Sequence, residues 1–302
     1  VSSTLLKPDI LARAEALGLA ARQVVEGLRV GDHKSPYRGF SVEFVQHREY
    51  VPGDDIKHID WKSYARSDRY TIKQYEQETN FIGHLVVDVS NSMRYGSGPA
   101  NKLGYAKVLA ASLAYLIVRQ RDSVSLRLFA DGWRGELPAG SHAGHTQAVC
   151  RTLEAAEPGD KTGTGPLLEQ LADRVTRRGL VLVVSDCFDD LESLLTGLRH
   201  LRLRGHEVVL FHVLHRDEVD LPLDGNVRFV NLEGTDHLSA RPHLLRPAYQ
   251  AAVREFLDEL QTGCERSRVG YVGLVTDQSL AAALSAFLSD RRQRGRVGAV
   301  AR

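Results

Sequence analysis

Cysteine is scarce in this chain of 302 residues, and its three occurrences, Cys150, Cys187 and Cys264, are odd in number and far apart. They form neither a disulfide framework nor a CxxC metal site, and a reducing compartment suits them best. Long apolar runs are missing too: the longest largely apolar stretch, Ala106 to Val118, contains Ser112 and falls short of the roughly 20 residues a membrane span requires. Net charge is nearly absent, because 39 basic residues almost cancel 38 acidic ones and leave +1. That balance removes the electrostatic case for nucleic acid as the main partner. The N-terminus has no basic-then-apolar signal pattern, since Lys7 and Asp9 interrupt it early. The expectation is a cytoplasmic protein with no membrane span.

What the chain does have is ordinary globular material, with 43% hydrophobic and 25% charged residues. Its length fits one large α/β domain and a smaller N-terminal module, with boundaries expected at 1–80, 81–290 and a basic tail at 291–302. Leu11, Ala14, Leu17, Ala20, Val24 and Leu28 recur at spacings of three and four and predict an amphipathic helix over Ile10 to Val30, ended by Gly31. Asp32 to Asn80 is rich in charge and aromatics, alternates over Ser41 to Val45, and carries a turn at Val51-Pro-Gly-Asp-Asp55. Trp61 and Tyr64 share a helical face and read as core aromatics.

From His84 the rhythm becomes strand, helix, strand. Leu85-Val-Val-Asp88 and Leu180-Val-Leu-Val-Val-Ser-Asp186 are apolar runs closed by a carboxylate, as strands buried on both faces are. Helices are predicted near Lys102–Gln120, His142–Ala156, Gly165–Arg178, Leu191–Leu203, Arg246–Gln261 and Ser279–Asp290. Further strands are predicted at Ser123–Ala130, Trp133–Leu137, Glu207–Leu214, Val227–Val230 and Val269–Val275. The fold class is therefore α/β: a doubly wound, mainly parallel sheet with helices on both faces, plus a small N-terminal α+β module.

The chemistry concentrates in one constellation. Asp88, Ser90 and Ser92 are spaced two apart in the loop after a buried strand, and such spacing aims the three side chains one way if the chain stays extended. Ligands of open α/β sheets bind beyond the carboxyl ends of the strands, where this loop lies. Thr162-Gly-Thr164 before a helix and Asp186 at a strand end offer further oxygens at the same edge. The donor set suits Mg²⁺, with Mn²⁺ or Ca²⁺ as alternatives.

In this order, Asp88, Ser90, Ser92, Thr162 and Asp186 resemble the metal-ion-dependent adhesion site of von Willebrand factor type A (vWA) domains, with Thr164 as the substitute for Thr162. Upstream, Gly39-Phe-Ser-Val-Glu-Phe44, Arg48-Glu-Tyr50, Gly53-Asp-Asp55 and Ile59-Asp-Trp-Lys-Ser-Tyr-Ala-Arg66 resemble the signature of the "domain of unknown function 58" family. The match continues through Lys73-Gln-Tyr75 and Glu78 to Ser92-Met93. The resemblance implies a vWA-like domain and, as partner, a MoxR-type AAA+ ATPase acting in maturation or remodelling of other proteins.

Other features read as structural. The glycine-rich stretches at Tyr95–Gly98 and Gly159–Gly165 lack the spacing of a nucleotide-binding loop. His142 with His145, and His212 with His215, match no zinc motif, and His212 reads as a core histidine. Asp54, Asp55 and Asp60 read as turn caps paired with Arg48, Lys57 and Arg66, and Cys187 as a small buried residue. The functional expectation is a non-catalytic, metal-dependent protein-binding adaptor whose partner offers a Glu or Asp. A metal-dependent hydrolase at the same site and a metal-free structural module stand as alternatives.

Overall fold

A computed structural model describes residues 42–51, 59–67, 69–77, 82–98, 101–142, 144–160, 163–232 and 237–280. The described residues divide into two compact units, one within Asp32–Asn80 and the other from Phe81 onward. The helix expected at Ile10–Val30, the turn beyond Val51, Thr162, the last helix past Leu280 and the basic tail lie outside the described residues.

In the smaller unit, β1 (Val42–Glu49) and β2 (Thr71–Gln77) pair antiparallel with a bulge between Phe44 and Gln46, and α1 (Trp61–Ser67) lies between them in sequence. Asp60 starts that helix by accepting from the Ser63 amide at 3.3 Å, as a short acidic cap does. Tyr64 stacks on Tyr70 with ring centroids 4.4 Å apart. Trp61, expected in the core, is exposed; at the first position of the helix its ring meets the edge of Tyr64 instead.

The larger unit runs β3 (Ile82–Asp88), α2 (Lys102–Arg119), β4 (Ser123–Phe129), β5 (Trp133–Gly140), α3 (His145–Glu154), α4 (Thr164–Arg174) and β6 (Leu180–Ser185). It continues with α5 (Leu191–Leu203), β7 (Glu207–Leu214), α6 (Arg216–Asp220), β8 (Val227–Val230), β9 (His237–Ala240), α7 (Pro242–Arg266) and β10 (Gly270–Val275). Six strands form one sheet in the order β10-β7-β6-β3-β4-β5, parallel except for β5. Pro138 is tolerated in β5 because that strand is an edge.

Burial explains why β3 and β6 show no alternation. Leu85 and Val87 pack with Leu109 of α2 and Val149 of α3 on one face. Val86 and Val183 pack with Leu168 of α4, Leu198 of α5 and Leu260 of α7 on the other. The class expected from the sequence, a doubly wound and mainly parallel α/β sheet, is the one observed.

The winding decides where a crevice opens. After β3 the chain moves to β4 and β5, then returns to place β6 on the other flank of β3, with Val87 opposite Val184. The chain therefore leaves β3 and β6 toward opposite faces of the sheet, and the edge between these two strands is the topological switch point beyond which ligands of such sheets bind. Gly165 and Gly197 bring α4 against α5 beside that edge. A Cβ on Gly165 would stand 2.3 Å from the Ser193 carbonyl oxygen, so only glycine permits the approach.

Several elements differ from expectation, among them α4, which ends at Arg174 rather than Arg178. α6 and the second ribbon strand β9 are too short to leave a periodic signal. α7 starts at Pro242 rather than near Arg246, because proline is well placed at the first helical position. Among the described residues, no helix is long and apolar enough to cross a membrane.

Candidate functional site

The β3 strand delivers Asp88, fully buried, to the sheet's carboxyl edge. Its Oδ1 accepts from the Ser90 amide at 2.9 Å and its Oδ2 from the Ser185 hydroxyl at 2.6 Å. The carboxylate thus locks its own loop and ties the end of β3 to the end of β6. Ser90 is extended, but Asn91–Arg94 form a 3-10 turn. This corrects the expectation of an extended loop: along a strand, Ser90 and Ser92 would have Cα atoms about 6.5 Å apart. The turn instead brings their Oγ atoms to 3.0 Å.

A second segment lies beside Ser90. Gly159 forms an isolated parallel bridge with it: the Asn91 amide donates to the Gly159 carbonyl at 2.7 Å, and the Gly159 amide to the Val89 carbonyl at 3.0 Å. Asn91 Nδ2 also donates to Asp160 at 2.9 Å. The segment leads to Thr164, the first residue of α4, whose amide donates to the Asp189 carboxylate in the loop after β6. Thr164 Oγ1 is buried with no hydrogen-bond partner among the described residues. Pairwise contacts therefore link all three segments that carry the predicted donors.

Against Asp186 stands a group that sequence reasoning missed. Lys102, the first residue of α2, is fully buried; its Nζ donates to Asp186 Oδ2 at 2.8 Å and to Glu218 Oε1 at 2.6 Å. The Phe188 ring lies 5.0 Å away and caps the ammonium by a cation–π contact. A cation at a helix N-terminus opposes the dipole, so two carboxylates and an aromatic face are what hold it there. Asn101 sets the position: its Oδ1 caps the Gly104 amide while its Nδ2 donates to the Arg94 carbonyl. Glu218 also accepts from the His215 amide in a capping box that starts α6. Tyr95 donates to Asp217 at 3.1 Å, and burial together with that carboxylate pushes its phenol up to about 12. The phenol therefore stays a donor at neutral pH.

The donor set can be tested against a cation. Among the described residues no three His, Cys, Asp or Glu side chains cluster as metal ligands, so an ion here depends on hydroxyls. Two cis ligands of an octahedral Mg²⁺, each at about 2.1 Å, stand about 3.0 Å apart. The Ser90 and Ser92 hydroxyls have that separation, and the orphaned Thr164 hydroxyl is a third donor awaiting a partner. Asp88 and Asp186 bring charge to the edge with hydrogen bonds already on them, which suits contact through water. Hard-cation chemistry fits the residues.

The remaining sequence candidates serve structure. His145 Nε2 donates to the Val124 carbonyl at 2.7 Å. His212 Nε2 donates to the Asp186 carbonyl at 2.9 Å and its Nδ1 accepts from the Tyr271 hydroxyl at 2.9 Å, as a core histidine would. Cys187 is buried in the left-handed region (φ 56°), its amide held by Ser185 Oγ. Ser185, Lys102, Phe188 and Glu218 went unnoticed; the capping box at His215 and Glu218 was the one local signal for this corner.

Comparison with known proteins gives a family and no assigned activity. A family model described as "Protein of unknown function DUF58" matches residues 46–258. An uncharacterized protein of Mycobacterium tuberculosis is 26% identical over 293 residues, covering 95% of this chain and 91% of the relative. Among solved structures, the conserved hypothetical protein BatB from Bacteroides thetaiotaomicron is similar at 19% identity and a TM-score of 0.47, covering 70% of this chain and 99% of that one. The vWF domain of the type V pili tip protein Mfa5 from Porphyromonas gingivalis is similar at 12% identity and a TM-score of 0.38, covering 70% and 94%. The fold assignment rests on the strand order described above.

Proposed function

We propose that this chain, which belongs to the DUF58 family, is a non-catalytic protein-binding adaptor that engages its partner through a divalent cation at the β3–β6 cleft. Ser90, Ser92 and Thr162, with Thr164 as its substitute, would hold Mg²⁺, or Mn²⁺ or Ca²⁺, with Asp88 and Asp186 acting directly or through water. When bound, the ion supplies a Lewis-acidic position for a Glu or Asp carboxylate of the partner. The chain's own residues do the rest: Asp88 fixes the Ser90 amide and Ser185, and Asn91 with Asp160 pins the serine loop. Phe188, exposed beside the cleft, gives the partner an apolar contact next to the charged one, the pairing that interface hot spots use.

The observation that carries this reading is the 3.0 Å Ser90–Ser92 hydroxyl pair in a switch-point cleft. The partner implied by the family resemblance is a MoxR-type AAA+ ATPase, with maturation or remodelling of other proteins as the process.

The test is association of the full chain with a purified MoxR-type ATPase from the same organism, measured in Mg²⁺ and in excess chelator. Ser90→Ala is expected to abolish the Mg²⁺-dependent part while leaving the unfolding midpoint nearly unchanged. Equal association in chelator would reject the metal-dependent mechanism.

A further inference from the structure

Lys102 is the group at the cleft that the proposed binding mechanism does not use. It is wholly buried and shares its ammonium between Asp186 at 2.8 Å and Glu218 at 2.6 Å. It sits at the positive end of α2, where a cation is disfavoured, and Phe188 covers its outer side. A lysine held at such cost, against a carboxylate of the candidate cation site, changes what that site can bind. One Asp186 oxygen accepts from the ammonium, and the positive charge lies within hydrogen-bond distance of it.

We infer that Lys102 is a resident cation that competes with divalent metal for Asp186, and that Glu218 sets the balance by offering the ammonium a second carboxylate. This rests on the reading of Ser90, Ser92 and Asp186 as one cation site. With Asp186 engaged elsewhere, Lys102 would keep Glu218 as its partner; Glu218 is in turn the capping-box residue of α6, joined to the rest of the chain by the Tyr249 hydroxyl donating to its carbonyl at 2.7 Å. The cleft is thereby kept a weak cation site, one that a partner's carboxylate completes.

The competition has opposite signs in two variants. Lys102→Met removes the ammonium and keeps its bulk, so Mn²⁺ titrated calorimetrically into the full chain should bind well over tenfold tighter, because a like charge a few Å away at an effective dielectric near 20 opposes binding by more than a factor of about ten. Glu218→Gln keeps an acceptor for the His215 amide, since glutamine serves a capping box as glutamate does. It leaves Asp186 as the sole carboxylate for Lys102, and Mn²⁺ should bind about three- to tenfold weaker. This variant carries the test if Lys102→Met fails to fold. A merely structural lysine would shift unfolding midpoints in both variants and move affinity in neither.

Ser90→Ala added to Lys102→Met should remove the gained affinity. Mn²⁺ that still binds tightly there would be lodged between Asp186 and Glu218, and that overturns the inference. Wild-type binding that neither single variant alters overturns it too, while leaving the cation site itself intact. No Mn²⁺ binding in any variant, wild type included, brings down the cation site and this inference together.

Discussion

The two ends of the central strands bury polar groups to opposite purposes. At the amino end of β3, His84 bonds Ser125 at 2.8 Å, with the His206 ring 6.1 Å away and Arg127 nearby. Burial, reinforced by Arg127 and His206, lowers the His84 imidazole to about 4, so this ring is neutral at physiological pH. At the carboxyl end, Asp88, Lys102 and Asp186 are buried as well, yet they are held there as a linked network of carboxylates, hydroxyls and an ammonium. The same β3 strand thus carries a silent polar group at one end and a buried charged network at the other. The difference follows from topology: the loops at the carboxyl end part around a switch point, while Gly179 backs directly onto His84.

Disturbing the charged end should cost most. Asp186→Ala strips Lys102 of one buried carboxylate, and a loss of about 3 kcal/mol in urea unfolding is expected; a loss under about 1 kcal/mol would mean the ammonium finds water instead. The quiet end should reveal itself only in acid. The folded pKa of His84 lies below its unfolded value near 6.5, so the unfolded chain takes up the proton first. Its contribution is complete above pH 6.5 and is lost as pH falls toward about 4, a change of up to about 3 kcal/mol. His84→Leu should flatten that stretch of the stability–pH curve, and an unaltered curve would assign the acid sensitivity elsewhere.

Gly165→Ala should come next, at about 1–3 kcal/mol, because its Cβ must displace the Ser193 backbone. If it is silent in thermal unfolding, the α4–α5 approach is looser than the geometry implies. Ser90→Ala should have the smallest effect on stability, about 1 kcal/mol or less, while eliminating Mg²⁺ binding. The largest functional change with the least structural one would separate the cleft from the silent end most cleanly.

Much of this arrangement was readable in advance. Leu85–Asp88 and Leu180–Asp186 announced buried strands because burial on both faces erases alternation and the terminal carboxylates mark the strand ends. Leu191–Leu203, Glu207–Leu214 and Val227–Val230 were predicted at their observed bounds. Lys102 was not legible: a lysine opening a helix looks solvated, and its partners lie 84 and 116 positions away in the chain. The 3-10 turn at Asn91–Arg94 was also hidden, since one turn without periodicity reads as any loop.

Sequence alone determined the order of strands and helices, the α/β class and the placement of Asp88 and Asp186 where two buried strands end, because apolar period and local backbone preference act over a few residues. Tertiary structure alone decided that β6 returns beside β3, that two serine hydroxyls meet at 3.0 Å, and that an ammonium is buried against Asp186. Those outcomes depend on desolvation and on contacts between distant segments, which no local pattern encodes.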